Sequence, residues 1–234
     1  IERSIGESLK RLDRESVDVF QLHNRVSEER GWFPGSIGVD DVLGENGVSD
    51  GLQRLVDQGL TRYIGFTATG ESSAIHKVIA SERFDSAQVY YNILNPSAGR
   101  AVPSGASAYD FGNLIDACHA HGVAVMNIRV LAAGVIATDV RHGREVPVAP
   151  GADVSMDEDS TAMLVEALGD SQGTRAQLAV RYALSNPNVS GVLVGMAELD
   201  HLTQALGAQE LGPLSSDVLS RIHALVDSDY GRLS

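Results

Sequence analysis

Short runs of β-branched and aromatic residues alternate along this chain with longer segments whose apolar residues recur at helical spacing. The first run, Val17 to Leu22, ends directly at an ionisable residue, His23. Four further runs of this kind predict strands, at residues 61–67, 84–92, 122–131 and 189–194. Amphipathic spacing predicts helices between them, near residues 49–58, 72–81, 110–121, 174–185, 199–206 and 216–226. This alternation is typical of an α/β fold with a parallel sheet and helical crossovers.

Two segments interrupt or precede this alternation. Ser4 and Glu7 have the spacing of a capping box, which predicts that the first helix begins at Ser4. Residues 24–47 form a long Gly- and acid-rich stretch with the single tryptophan, Trp32. A loop of this length inside a compact domain is usually functional or mobile, so a functional or mobile loop is predicted here.

Two architectures fit the predicted elements. A flavodoxin-like open sheet needs about five strands, which is the number predicted, whereas a (β/α)8 barrel needs eight strands over about 250 residues. The length of 234 residues favours the barrel. A third interpretation reconciles the two counts: the chain begins at Ile1, on a helix and with no strand before it, as a barrel without its first units would.

Composition and charge narrow the classes of partner. The net charge is −13 and only 18 Lys and Arg residues are scattered along the chain, so no basic surface for nucleic acid is predicted. Apolar runs fall far short of the roughly 20 residues that span a bilayer, so no membrane partner is expected. One cysteine, Cys118, excludes a disulfide within one chain and favours a reducing, cytoplasmic location. Its apolar helical neighbours predict a buried, unreactive thiol.

Several motifs for hydrolysis or metal binding are present but lack their usual context. GVSDG, residues 47–51, matches the nucleophile-elbow pattern, but a loop precedes it, so Ser49 or Asp50 is predicted as a helix N-cap instead. His119 and His121 are two residues apart on a helix and would face different directions, so no metal site is predicted there.

The Pro- and acid-rich segment Val146–Ser160 predicts an exposed loop. Its acidic run, Asp157 to Asp159, lacks the alternating spacing and the glycine of a calcium loop, so we expect a solvated face.

Polar residues recur where the predicted strands end. His23, Thr67, Gln88 and Arg129 lie within or just after four different strands, and parallel folds bind ligands at the carboxyl ends of their strands. We therefore expect a pocket there. No G-x-G-x-x-G follows a strand, so a Rossmann site is not supported, but the turn at residues 195–198 opens a helix and is suited to phosphate.

Five segments taken in order resemble the aldo-keto reductase family. They read ESLKRLDRESVDVFQLHN, DGLQRLVDQGLTRYIGFT, FDSAQVYYNILNP, HGVAVMNIRVLAAGVI and VSGVLVGMAELDHLTQAL, and they run over nearly the whole chain. The resemblance implies a (β/α)8 barrel that transfers hydride between NADP(H) and a carbonyl or alcohol. A tyrosine is the family's general acid, assisted by a lysine and an aspartate, and a histidine orients the carbonyl.

The resemblance also implies roles for individual residues. His23 matches the catalytic histidine, and Thr67 and Gln88 match the contacts to the nicotinamide carboxamide. Further cofactor contacts are expected at Arg129, Leu131, Gly134, Gly195 and Gln204. Thr67 stands where a serine is usual and keeps the hydroxyl. Five further positions depart from the family pattern, namely Ala68 for asparagine, Ile128 for an aromatic residue, Arg129 for serine, His201 for arginine and Ala205 for asparagine. NADP(H) is the expected cofactor, and NAD(H) the alternative.

The sequence therefore predicts a single domain over residues 1–234, with about five of the eight strands of a TIM barrel. The family's aspartate, tyrosine and lysine would lie on preceding units of roughly 90 residues, at about 30 residues per unit. The expected function is reduction of small-molecule aldehydes or ketones with NAD(P)H, with the 234 residues alone inactive. Two alternatives remain, a catalytically silent nucleotide-binding or regulatory barrel and a different TIM-barrel enzyme. The oligomeric state is not predicted.

Overall fold

The structure of the protein is a computed structural model that describes residues 1–143, 145, 146, 149, 151–169 and 171–233. Helices and strands alternate along these residues. Their bounds are α1 Glu2–Leu12, β1 Val17–Leu22, β2 Val26–Ser27, β3 Ile37–Gly38, α2 Val39–Leu43, α3 Val48–Asp57, β4 Thr61–Ala68, α4 Ser72–Ala80, β5 Ser86–Tyr90, α5 Leu114–Ala120, β6 Ala124–Ile128, a 3-10 turn Ala132–Gly134, α6 Val154–Leu168, α7 Arg175–Leu184, β7 Gly191–Val192, α8 Leu199–Leu211 and α9 Ser216–Asp227.

The predicted strands form one parallel sheet in the order β1-β4-β5-β6-β7. Each of its strands overlaps one of the five predicted runs, so the α/β class and the parallel sheet are confirmed. The sheet does not close into a barrel within the part of the chain that the structure describes.

The residues group into two compact units, residues 1–89 with 116–125, and residues 90–115 with the chain from 126 onward. The single domain stays a prediction.

The first unit is built on the pairing of β1, β4 and β5. Leu22 of β1 pairs with Phe66 of β4, and Thr67 of β4 pairs with Gln88 of β5. Helices α3 and α4 bring apolar residues to a core that also includes β4, and its fully buried members are Leu52, Leu55, Ile64, Phe66, Ile75, Val78 and Ile79. The register of the strand pairs sets β1, β4 and β5 relative to one another.

The segment between β1 and α3 is structured, which corrects the prediction of a long loop. β2 pairs with β3 in parallel, and α2 follows directly. Ser27 secures the turn because its hydroxyl donates to the backbone oxygen of Glu29 at 2.6 Å. Gly70 bridges to Val26, and a Cβ at Gly70 would lie 2.1 Å from the Val26 oxygen. Glycine is therefore required at this close approach.

The second unit contains β7 and the helices α6 to α9. Tyr182 of α7 is buried and stacks on Tyr91, with ring centroids 5.4 Å apart. A capping box starts α7, since the Thr174 hydroxyl accepts from the Gln177 backbone N–H and the Gln177 side chain accepts from the Thr174 N–H. Helix α7 packs against α8 and β7, and α6 packs against α9.

Two boundaries were predicted wrongly because local signals were ambiguous. Helix α1 begins after Ile1, and Ser4 lies inside it, so the Ser4 capping box does not form. Most of the second half of the predicted 146–160 loop is helical, since α6 begins at Val154 after Asp153, whose side chain accepts from the Ser155 N–H at 2.8 Å. Residues 147, 148 and 150 of that predicted loop lie outside the described residues.

Candidate functional site

Three of the predicted site residues lie at the same level of the sheet in the first unit. His23 follows Leu22 directly, so the register of β1 and β4 brings it level with Thr67, which pairs with Gln88. The Thr67 hydroxyl donates to Gln88 Oε1 at 3.4 Å. Thr67 is buried, Gln88 is half-buried and His23 is exposed. The Thr67 hydrogen bond orients the Gln88 amide and leaves its Nε2 as a donor for a ligand.

The other five predicted cofactor residues line one cleft in the second unit, here called the α8 cleft. It measures about 1020 Å³ and is bounded by residues 129–142, by α7 and by the segment from Leu193 to Ala205. The predicted residues that line it are Arg129, Leu131, Gly134, Gly195 and Gln204. Most of the other lining groups are apolar, as in most ligand sites.

One wall of the α8 cleft is a turn with left-handed backbone. The φ angles are 62° at Arg129, 46° at Ala132, 58° at Ala133 and 101° at Gly134. This conformation costs free energy at non-glycine residues, and such strained residues are concentrated at ligand sites. Asn92 holds the turn, because its Nδ2 donates to the Arg129 oxygen at 3.1 Å. A Cβ at Gly134 would meet no atom within 4 Å, so its backbone faces open space.

The facing wall is the turn from β7 into α8. Gly195 is as open as Gly134, with no atom within 4 Å of an added Cβ. The Ala197 N–H donates to His201 Nδ1 at 3.2 Å. Gln204 is held at both ends of its amide, since Oε1 accepts from the Thr174 hydroxyl at 2.9 Å and Nε2 donates to Asp200 at 2.5 Å.

Three lining or supporting residues were missed by sequence reasoning. Glu198 lines the α8 cleft, is exposed and caps α8 without a side-chain hydrogen bond. Asn92 and Thr174 support the two walls. Asn92 lies two residues after the end of β5 and Thr174 lies directly before α7, and a polar residue at such an element end is the signal that could have identified them. Glu198 had such a signal, because it precedes α8 in the turn already considered for phosphate.

The nucleophile-elbow pattern of residues 47–51 lies at the start of α3. Gly47, and neither Ser49 nor Asp50, is the N-cap of α3, so that prediction was wrong; Ser49 is buried inside the helix. Asp50 instead accepts from Arg83 at 2.7 Å. Burial raises the pKa of the Cys118 thiol to about 12.

The described residues contain neither a metal-binding cluster of side chains nor a membrane-spanning helix. Across these ranges, no group of three or more His, Cys, Asp or Glu side chains could hold a metal ion. His121 instead lies 3.2 Å from Glu82, from Nδ1 to Oε1. Helices long and apolar enough to cross a membrane are also absent from the described part of the chain.

The amino-acid sequence is similar to those of known aldo/keto reductases. The model of the aldo/keto reductase family matches residues 1–227. L-galactose dehydrogenase from Arabidopsis thaliana is 25% identical over 238 residues, which cover 97% of this chain and 64% of that protein. The chain therefore spans just under two thirds of the length of this relative.

Solved structures of the aldo-keto reductase AKR11C1 from Bacillus halodurans have a similar fold. The holo form superposes with a TM-score of 0.69 at 20% identity, over 96% of this chain and 66% of that one. The apo form has the same TM-score at 19% identity, over 96% of this chain and 67% of the other.

Proposed function

Given that the chain belongs to the aldo/keto reductase family, we propose that its protein is an NAD(P)(H)-dependent oxidoreductase that reduces small aldehydes or ketones. One observation carries the proposal. Five residues expected to contact the cofactor, from positions 129 to 204, line a single cleft. This grouping is informative because Arg129 and Gln204 are 75 positions apart in the sequence, and the fold brings them to one site.

The α8 cleft suits a dinucleotide. Ligand pockets of about 300–1,000 Å³ are usual, and a cleft of about 1020 Å³ has room for an extended molecule. Gly134 and Gly195 leave bare backbone on facing walls, which allows phosphate oxygens to approach closely. Leu131 supplies apolar surface. In this proposal the cleft holds the pyrophosphate and adenosine, and the resemblance to the family implies that Thr67 and Gln88 are the contacts of the nicotinamide carboxamide.

A bound nicotinamide supplies the hydride, and the protein supplies position and a proton. His23, exposed at the end of β1, is the proposed group that donates a hydrogen bond to the carbonyl oxygen. The proton for the alcohol product would come from the family's tyrosine, which none of the 234 residues matches. We therefore expect this chain to bind nucleotide without measurable turnover.

Calorimetric titration of the 234-residue chain tests the proposal. We expect NAD(P)+ and ADP-ribose to bind, and Gln88→Ala to weaken the dinucleotide about fivefold while leaving ADP-ribose within twofold, because one charge-neutral hydrogen bond contributes roughly 1 kcal/mol. Gln53→Ala, an exposed change on α3, is the matched control. Failure of all three nucleotides to bind would contradict the proposed site.

Turnover separates this proposal from the silent barrel. NADPH oxidation with an aldehyde is the assay, applied to the chain and to a protein extended by the family's first βα units. Turnover by the extended protein supports the reductase. Nucleotide binding without turnover in that extended protein would favour a regulatory barrel, to which the replacements at Ala68, Ile128 and Ala205 also point.

Sugar oxidation is a second candidate. It rests on the similarity to L-galactose dehydrogenase, which extends over 97% of this chain. Dinucleotide reduction in the presence of L-galactose, compared with an aliphatic alcohol, distinguishes this substrate class from simple carbonyl compounds.

A further inference from the structure

We infer that the α8 cleft selects NAD(H) over NADP(H), with Glu198 and His201 as the residues that set the preference. This inference rests on the proposed function, because it assumes that the adenosine lies at the start of α8. The two cofactors differ only in a phosphate on the 2′-oxygen of the adenosine ribose. Selectivity therefore depends on the charges and hydrogen-bonding groups that this phosphate would meet.

The wall formed by β7 and α8 has no cationic side chain of the kind that binds phosphate. Residues 182–220 contain neither lysine nor arginine. Acidic residues are present instead, with Glu198 in the cleft and Asp200 in the first turn of α8. A 2′-phosphate carries nearly two negative charges and binds best to a guanidinium or an ammonium group. Here it would meet carboxylates.

His201 does not replace the missing cation. Its Nδ1 accepts a hydrogen bond from the Ala197 N–H at 3.2 Å. An imidazolium carries a hydrogen on both ring nitrogens and could not accept this bond. The tautomer that accepts this bond has its hydrogen on Nε2. In this form it can donate one hydrogen bond, which suits a hydroxyl as well as a phosphate, but it adds no positive charge.

Glu198 acts against the phosphate directly. Its carboxylate is exposed on the lining of the α8 cleft and has no hydrogen-bond or ion-pair partner among the described residues. A free carboxylate at a ribose accepts a hydrogen bond from a 2′-hydroxyl, as in other NAD-selective sites. The same carboxylate repels a 2′-phosphate, and the partly enclosed cleft screens this repulsion less than open water does.

The remaining polar groups of the cleft do not reverse this preference. Gln204 is occupied, because its Nε2 donates to Asp200 at 2.5 Å. Arg129 and His142 are the lining residues of the segment 129–142 that can carry positive charge. Arg129 is held on this segment, where its Nη1 donates to the Val146 oxygen at 2.9 Å. In the proposed orientation this segment binds the pyrophosphate, which both cofactors share, so its charge does not discriminate.

Binding of four ligands to the 234-residue chain tests the inference: NAD+, NADP+, ADP-ribose and 2′-phospho-ADP-ribose, each measured by calorimetry at low ionic strength. We expect NAD+ to bind at least about tenfold more tightly than NADP+, a difference of 1.4 kcal/mol. The two ADP-ribose ligands should show the same ratio, because the nicotinamide is not involved.

Three variants locate the preference. His201→Arg should tighten NADP+ about tenfold with NAD+ changed less than twofold, since a charge-assisted hydrogen bond to phosphate is added. Glu198→Gln should tighten NADP+ about threefold and weaken NAD+ slightly. His119→Arg adds the same charge on an exposed face of α5, outside the cleft lining, and should change neither. Circular dichroism confirms that each variant is folded.

The outcomes separate the two proposals. Equal or tighter binding of NADP+ by the wild-type chain would overturn the NAD preference and leave the proposed nucleotide site intact. A preference for NAD+ that His201→Arg and Glu198→Gln both leave unchanged would overturn the role of these residues. Absence of binding by all four ligands would contradict the proposed function itself, and the preference with it.

Discussion

Asp157 is a half-buried carboxylate on α6 whose ionisation should limit the stability of the folded chain. It borders a small cavity that Tyr90, Tyr230 and Arg232 also line. Burial raises the pKa of Asp157 from 3.8 to about 6; nearby Asp153 adds to this, and Arg232 partly offsets it. The charged form therefore costs free energy in the folded state.

The sign and the size of the effect follow from the two pKa values. Because the folded-state pKa of Asp157 is the higher one, the folded state binds more protons than the unfolded state between pH 3.8 and about 6. Stability therefore falls as the pH rises through this window and stays lower above it. A difference of about two pH units corresponds to a ceiling of about 3 kcal/mol. Solvent screens a half-buried group, so we expect about 1–2 kcal/mol.

Replacement of the carboxylate by its neutral isostere measures this cost. We expect Asp157→Asn to raise the free energy of unfolding by about 1–2 kcal/mol at pH 8 and to leave it nearly unchanged at pH 4. Urea denaturation across this pH range, followed by circular dichroism, gives the difference between the two proteins. Asp159→Asn, an exposed change on the same helix, is the control. A gain that is equal at pH 4 and pH 8, or absent at both, would refute the reasoning.

Four further predictions concern stability and reactivity. Gly70→Ala should destabilise the fold by more than about 2 kcal/mol, because its Cβ would lie 2.1 Å from a β2 oxygen at a φ of 127°. Gly59→Ala, with a φ of 73° and open space, should cost only about 1 kcal/mol in the same denaturation assay. Tyr230→Phe removes a 2.6 Å hydrogen bond to the Ile93 oxygen and should lower the unfolding free energy by about 1–2 kcal/mol. Since burial raises its pKa to about 12, Cys118 should react with a maleimide only after denaturation; rapid labelling of the native protein would contradict this.

The strand ends were predictable because their signal is local. The run from Val17 to Leu22 alternates with polar residues and then stops, and the structure ends β1 at Leu22. The positions of Thr67 near the end of β4 and of Gln88 within β5 follow from the same pattern, and parallel pairing then makes them partners. The grouping of residues in the α8 cleft was harder to predict from the sequence, because it depends on the left-handed turn after β6. The resemblance to the family supplied that grouping.

Helix α6 and strand β7 show why other elements were misjudged. The first two turns of α6 include an acidic run, and its buried residues Ser160 and Thr161 are polar, so no apolar stripe marks its start. The predicted strand 189–194 is reduced to Gly191–Val192, which pairs with β6. Leu193 remains 42% exposed. An apolar run predicts that its side chains are buried, but the sequence does not show which neighbouring element covers them.

One cation–π contact and two ion pairs hold the segment between β1 and α3 in place. Arg25 stacks 3.8 Å over the Phe33 ring, Arg30 pairs with Asp41 at 2.5 Å, and Lys77 of α4 pairs with the Glu28 carboxylate at 2.6 Å. The segment therefore loses its conformational entropy when the chain folds, and not when a ligand binds. If this segment contacts substrate, binding needs no slow ordering step. Observed association rates should then rise linearly with substrate concentration and show no plateau.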